Sequence, residues 1–150
     1  MEFDRYKYSR YNDQYDYEFF SEGSNGRIRK LVRFTFRGSN GIPYYNLGFG
    51  DVLPGSTFIN DKIVSNNGDA LKVLSTVAAI VIDFTNYFPD ALIYAVGSTP
   101  ARTRLYQMSL NRNWEDIEPI FEIFGYRDDG NWERFQNGAF YMGFLAKRKF

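Results

Sequence analysis

Residues 69–100, DALKVLSTVAAIVIDFTNYFPDALIYAVGSTP, hold a long helix, its stop, a strand and the start of a second helix. Over about 69–88, at roughly 100° per residue, Leu71, Leu74, Val77, Ala78, Ile80, Val81, Ile82 and Phe84 fill a wide arc. Lys72, Ser75, Thr76, Asp83 and Asn86 crowd the narrow stripe that remains, so protein is expected to wrap most of this helix. Pro89 ends it, because proline disfavours helical geometry at the residue before it. Residues 91–96, ALIYAV, form a continuous apolar run, the pattern of a strand buried on both faces. Gly97-Ser98-Thr99-Pro100 then turns the chain into a second helix over about 100–111. Thr99 is its N-cap and Pro100 takes the favoured first helical position. Ala101, Leu105 and Met108 are its expected buried side.

Working upstream, Tyr15, Tyr17 and Phe19 alternate with Asp16 and Glu18, the period of a half-buried strand. After the turn residues 21–26, Ile28, Val32, Phe34 and Phe36 alternate with Arg29, Leu31, Arg33, Thr35 and Arg37. The two strands form an expected antiparallel hairpin, with Glu18 near Arg29 on its solvent face. A third strand is read at 44–49. Residues 51–68 read as a long loop with a short extended piece at Ile63-Val64. Downstream, Asn113 is placed to cap a short helix at 114–118. Strands follow at 120–126, 132–135 and 140–147, with Asp129-Gly130 turning between the first two. The order reads β-β-β-α-β-α-β-β. That is an α+β class: a mostly antiparallel sheet with a long amphipathic helix and a second helix packed on one face. Residues 1–13 are charged and without period, so they read as a loosely attached N-terminal arm before a single domain at 14–150.

Composition removes much chemistry. The 150 residues include no Cys and no His, which excludes disulfides, thiolate and imidazole ligands, cysteine nucleophiles and Ser-His-Asp triads. Lys plus Arg and Asp plus Glu balance at 18 each, so no global field selects a nucleic acid, a membrane or an acidic partner. The first twenty residues hold no apolar core of a signal peptide, and the longest strongly apolar run is 77–82. A cytoplasmic protein without a membrane association is the resulting expectation. No cofactor is implied. Asp51, Asp61 and Asp69 have no calcium-loop spacing, so no metal site is assigned.

Two stretches carry candidate sites. In Gly97-Ser98-Thr99-Pro100-Ala101-Arg102-Thr103-Arg104, a strand end feeds a helix N-terminus, where free amides and the dipole suit an anion. Gly97, Ser98, Thr99, Arg102 and Arg104 are the proposed ligand contacts. Against this, Pro100 removes an amide, and Arg102 and Arg104 sit roughly 160° apart around the helix. The plain alternative is a capped connection. The second stretch is basic: Arg27, Arg29, Lys30, Arg33 and Arg37 on one strand, and Arg102, Arg104 and Arg112 on the second helix. With Tyr44 and Tyr106 as stacking platforms, they would form a nucleic-acid patch. Its plain alternative is a strand face paired to Asp16 and Glu18. Ser65-Asn66-Asn67-Gly68-Asp69 reads as a turn and helix cap, through Asn67 or Asp69.

The words YEFFSEG (17–23), GRIRKLVRF (26–34), YYNLGFGD (44–51), SNNGD (65–69) and GSTPARTRLYQM (97–108) occur together in this order. In them the chain resembles a family of small uncharacterised bacterial proteins carrying a domain of unknown function. The resemblance covers about 15–149 and implies a single-domain cytosolic protein, with no activity or cofactor to carry over. Strand, helix, strand across 91–126 also looks superficially like an acyl-CoA-dependent N-acetyltransferase. That family's pyrophosphate turn is rich in glycine, whereas VGSTPA (96–101) has Pro100 where an amide is needed, and the element order differs. The leading expectation is a non-enzymatic binding or interaction module contacting a protein partner or a phosphate-bearing ligand at 97–104. A nucleic-acid-binding protein is second, and a transferase acting on a phosphate-bearing ligand is a remote third.

Overall fold

The computed structural model describes residues 4–38, 41–53, 56, 59, 67–97 and 99–149. Among these, the strands are β1 (Ser9–Tyr11), β2 (Asp16–Gly23), β3 (Gly26–Arg37), β4 (Tyr44–Asp51), β5 (Leu92–Ala95), β6 (Phe121–Tyr126), β7 (Trp132–Arg134) and β8 (Gly143–Arg148). The helices are α1 (Ala70–Tyr87), α2 (Pro100–Arg112) and α3 (Trp114–Ile117). The strands hydrogen-bond in the order β1-β2-β3-β4-β5-β8-β6-β7, a mixed, mostly antiparallel sheet in which β4 and β5 run parallel. The class is α+β, as read. The element order roughly matches the reading, including the short helix after α2 and the three closing strands, and adds the first strand β1. The chain divides into two compact units, Glu2–Thr35 with Gly48–Tyr87, and Phe36–Leu47 with Phe88–Phe150.

The first unit is built around α1. The β2–β3 hairpin turns through Ser24-Asn25, with Gly23 opposite Gly26 and Tyr17 opposite Val32. Period 2 puts Tyr17, Phe19, Val32 and Phe34 on one face, and α1 lies against it. Phe34 and Phe84 stack with centroids 3.9 Å apart and planes 7° from parallel. Buried residues on α1 are Val73, Leu74, Ser75, Thr76, Val77, Ala79, Ile80, Phe84 and Thr85. This corrects the helical-arc reading: Ser75 and Thr76 are inside, whereas Leu71 is exposed. Hydroxyls tolerate burial here because they find partners: Thr76 and Thr85 donate back to the carbonyls of Lys72 and Val81. By length and mean hydropathy α1 is apolar enough to cross a membrane. Half of it is buried against its own sheet, and Asp83 at its far end is engaged by Tyr8 and Arg10, which makes it a core helix.

Residues 6–11, read as a loose arm, are fastened to this unit. The Tyr6 amide donates to Thr76 Oγ1 at 2.9 Å, and the Tyr6 ring stacks on Phe19. Tyr8 and Arg10 both reach Asp83, at 2.9 and 3.1 Å. β1 then pairs with β2, and Asn12, Asp13 and Gln14 turn the chain with φ of 55°, 54° and 77°. Three successive non-glycine residues in the left-handed region are uncommon. Asn and Asp bear it best, since their short polar side chains bond locally, as Asn12 does to Asp16 at 3.1 Å.

The words SEG, NG and NNGD meet in one latch. Asn67 accepts from the Asn25 amide at 2.6 Å and donates to Ser21 and to the Gly26 carbonyl. Asp69 accepts from Ser21 at 2.5 Å and from Tyr6 at 2.6 Å. The side chains of Asn67 and Asp69 thus hold the hairpin tip, while Asp69, just before α1, gives the helix its carbonyl, which accepts from the Val73 amide at 2.9 Å. A Cβ on Gly23 would meet the Asn67 carbonyl at 1.9 Å, so only glycine admits this approach. Ser65 and Asn66, with Asp61 and the extended piece at Ile63-Val64, lie outside the described residues.

The second unit holds α2 and α3 with β5, β8, β6 and β7, and the Trp114 ring of α3 packs on Phe135, which meets Phe144 of β8. Burial alternates along β6, with Phe121, Ile123 and Gly125 buried and Glu122, Phe124 and Tyr126 half-buried. Ile93 and Phe144 continue the buried face. The strand read as buried on both sides is therefore open on one, because Leu92 and Tyr94 are half-exposed. Gly125 lets the Tyr141 ring lie directly on β6, where a Cβ would come within 2.3 Å of it. Asn113 does not cap α3 with its side chain, which donates back to the Ser109 carbonyl at 3.1 Å.

Candidate functional site: the cleft beside α2

Thr99 caps α2 as read, accepting from the Arg102 amide at 3.2 Å. Two further bonds tie the junction together among the described residues. The Gly97 amide donates to Thr103 Oγ1 at 3.0 Å, and the Thr103 amide to the Thr99 carbonyl at 3.1 Å. Pro100 lacks a donor, and the Gly97 and Arg102 amides are spent within the chain, so neither is offered to an anion. Gly97 is needed for packing: a Cβ there would lie 2.4 Å from the Thr103 nitrogen. Ser98 lies outside the described residues.

The buried side of α2 is Thr103 and Ser109, not the expected Ala101, Leu105 and Met108. Those three are exposed, Leu105 at 37% and Met108 at 51%. The reason is the partner surface. Thr103 must reach Gly97, and Gln107 on the same side donates to the Ala139 carbonyl, so polar residues face inward. Beside them opens a cleft of about 240 Å³, lined by Val96, Thr103, Arg104, Gln107, Phe140 and Met142 among others. Arg104 lines it and Arg102 does not, as their separation around the helix requires. The Arg104 guanidinium meets no acid and no acceptor among the described residues.

The opposite wall, residues 140–142, was read only as strand. Its signal was the glycine turn at Gly138, with φ 87°, followed by Phe140-Tyr141-Met142. Tyr141 anchors this wall. Its hydroxyl donates to Glu133 at 2.7 Å and accepts from the Gln136 amide at 3.0 Å. Burial first, and the Glu133 bond second, push the Tyr141 phenol above its ordinary value. The Tyr141 hydroxyl and then Arg127 hold the Glu133 carboxyl below its own.

The basic strand resolves into pairs. Arg29 meets Glu18 at 2.7 Å, Arg33 meets Asp16 at 2.8 Å and Arg27 faces Glu22 at 3.7 Å. Lys30 is buried against Asp51. Of the five cations, Arg37 alone has no acid against it among the described residues. On α2, Arg112 sits exposed in the last turn, where a cation suits the helix dipole, and Tyr106 is half-buried. Asp51 and Asp69 are committed to Lys30 and to Ser21 with Tyr6. Among the described residues no three acidic side chains gather to hold a metal ion.

The model of DUF6934, a family of unknown function, matches residues 2–149. The chain belongs to that family. No curated protein and no solved structure matches it.

Proposed function

We propose that this DUF6934 protein is a binding module whose cleft beside α2 takes a small organic anion, one apolar ring or short chain ending in a carboxylate or phosphate. The observation that carries this is the Arg104 guanidinium, unpaired among the described residues at the rim of an apolar cleft. An enclosed apolar cavity of roughly 150 Å³ takes a benzene ring, so a cleft of this volume suits one ring with a short substituent. It lies below the ~300–1,000 Å³ of drug-sized pockets, which argues against a whole nucleotide. Thr99 and Gly97 shape the wall, while Arg104 supplies the charge-assisted hydrogen bonds.

The test is a calorimetric titration with 3-phenylpropionate and its uncharged counterpart 3-phenylpropan-1-ol. The acid should bind more tightly, and Arg104→Ala should cost it about tenfold, the scale of one charge-assisted bond. The alcohol should be indifferent to that change. Equal binding of both compounds by both proteins would remove Arg104 from the site, and no binding of either would remove the cleft.

A further inference from the structure

The half-open face of the second unit is aromatic. Tyr44 of β4 and Tyr94 of β5 have ring centroids 5.8 Å apart, Tyr94 and Trp132 6.1 Å, and Trp132 and Tyr126 5.0 Å. The rings meet at 65°, 73° and 51°, so they make a ridged row with notches between rings, not a flat platform. Gly143 creates the room. It pairs with Tyr126 and lies beneath Tyr94, whose hydroxyl would be 3.3 Å from a Cβ there. Trp132 is 43% exposed. Among the described residues, the hydroxyls of Tyr44, Tyr94 and Tyr126 and the Trp132 indole N–H have no hydrogen-bond partner. Burial, and then the neighbouring phenols of Tyr44 and Tyr126, keep Tyr94 protonated beyond the usual range, so it remains a donor.

On β5, β8, β6 and β7 the charge on this face sits at the other end, and Arg37 closes β3, the strand next to β4 in the sheet. Glu122 lies opposite Lys147 across the β6–β8 pairing and 3.6 Å from Arg134, so acid and bases offset there. The aromatic end of these strands bears Tyr94, Gly143, Tyr126 and Trp132 and no charged side chain. A polyanion would find little to neutralise its phosphates on such a surface. An uncharged ligand rich in carbonyl acceptors, poor in N–H donors and carrying compact apolar rings matches it better. Proline supplies all three, and its polyproline II helix is extended before binding, which lowers the ordering cost. At ~3.1 Å per residue, about five such residues span the row.

We propose that the Tyr44–Tyr94–Trp132–Tyr126 face docks a proline-rich segment of a partner protein in the polyproline II conformation. Pyrrolidine rings sit in the notches, and the phenols and the indole donate to the segment's carbonyls. This surface is distinct in its residues from the α2 cleft, and each can fail without the other.

The experiment is an amide- and indole-resolved NMR titration of the full chain with octaproline to 5 mM, and separately with octauridylate and cellohexaose. Octaproline should shift the Trp132 indole signal and the amides around 44, 94 and 126. Trp132→Ala should weaken binding at least tenfold, and Tyr126→Phe, which removes only a hydroxyl, about threefold. Gly143→Val, which displaces Tyr94, should weaken it comparably to Trp132→Ala, with folding of each variant checked by its circular dichroism. The absence of octaproline shifts, or undiminished binding by folded variants, would overturn the proposal. Shifts at the same residues from octauridylate or cellohexaose alone would replace the occupant and equally overturn it.

Discussion

Gly97 and Gly23 do the same work in different units: each lets a backbone come closer than any side chain allows. Gly97→Ala places a Cβ 2.4 Å from the Thr103 nitrogen, against backbone that has no room to yield. We expect a loss of roughly 1–3 kcal/mol, the usual cost of overpacking, read by urea unfolding. An unchanged midpoint would mean that α2 can slide on its strand. Tyr8 gives a second residue-scale expectation. Burial, and then its bond to Asp83, push its phenol up to about 12. The neutral form is the one the fold stabilises. Its contribution is therefore complete below the unfolded value near 10 and is lost as pH rises from there to about 12. Tyr8→Phe should flatten the fall of thermal midpoint across that window, and a variant with the native slope would show that other groups carry the alkaline loss.

At the scale of elements, the hairpin, α1 and the capped start of α2 were legible because each rests on local pattern. Alternation gave Tyr17 and Phe34 their shared face, and Thr99-Pro100 marked the N-terminus of α2. What was illegible depended on partners distant in sequence. Nothing local says that Thr76 is buried; it is inside because the Tyr6 amide, seventy residues away, needs an acceptor. The apolar pattern misassigned α2 for a related reason. The strand end it packs against presents polar backbone, so Thr103 and Gln107 turn inward and Leu105 and Met108 are left to solvent. Arg104 was named from sequence, whereas Phe140 and Met142 were not, since only the fold brings that wall across from α2. The fastening of residues 6–11 yields its own expectation. Asp83→Ala releases both Tyr8 and Arg10, and should raise amide exchange over 8–11 at least tenfold while leaving the α2 amides unchanged. Unaltered exchange would place the hold on Tyr6 instead.

For the whole molecule, both tryptophans, Trp114 and Trp132, belong to the second unit, so their emission reports on that unit alone. β3 and β4 each contribute residues to both units. Phe84→Ala removes the ring stacked on Phe34 in the first unit and should cost about 3–5 kcal/mol. Because two strands are shared, we expect tryptophan emission and far-ultraviolet dichroism to move together to the same lower urea midpoint. An emission midpoint that stays in place would show that the units unfold independently.

The strands at the ends of the hydrogen-bonded order, β1 and β7, are only three residues long, and each includes a charged side chain. Exposed strand edges invite pairing with other chains, and short charged ones discourage it. β1 pairs with the first three residues of the eight-residue β2, Asp16, Tyr17 and Glu18, in a strand that also carries Phe19 and Phe20. A chain trimmed to begin at Asn12 would add Asp16, Tyr17 and Glu18 to the open edge of an aromatic strand, and its solubility would then depend on whether something else came to cover it.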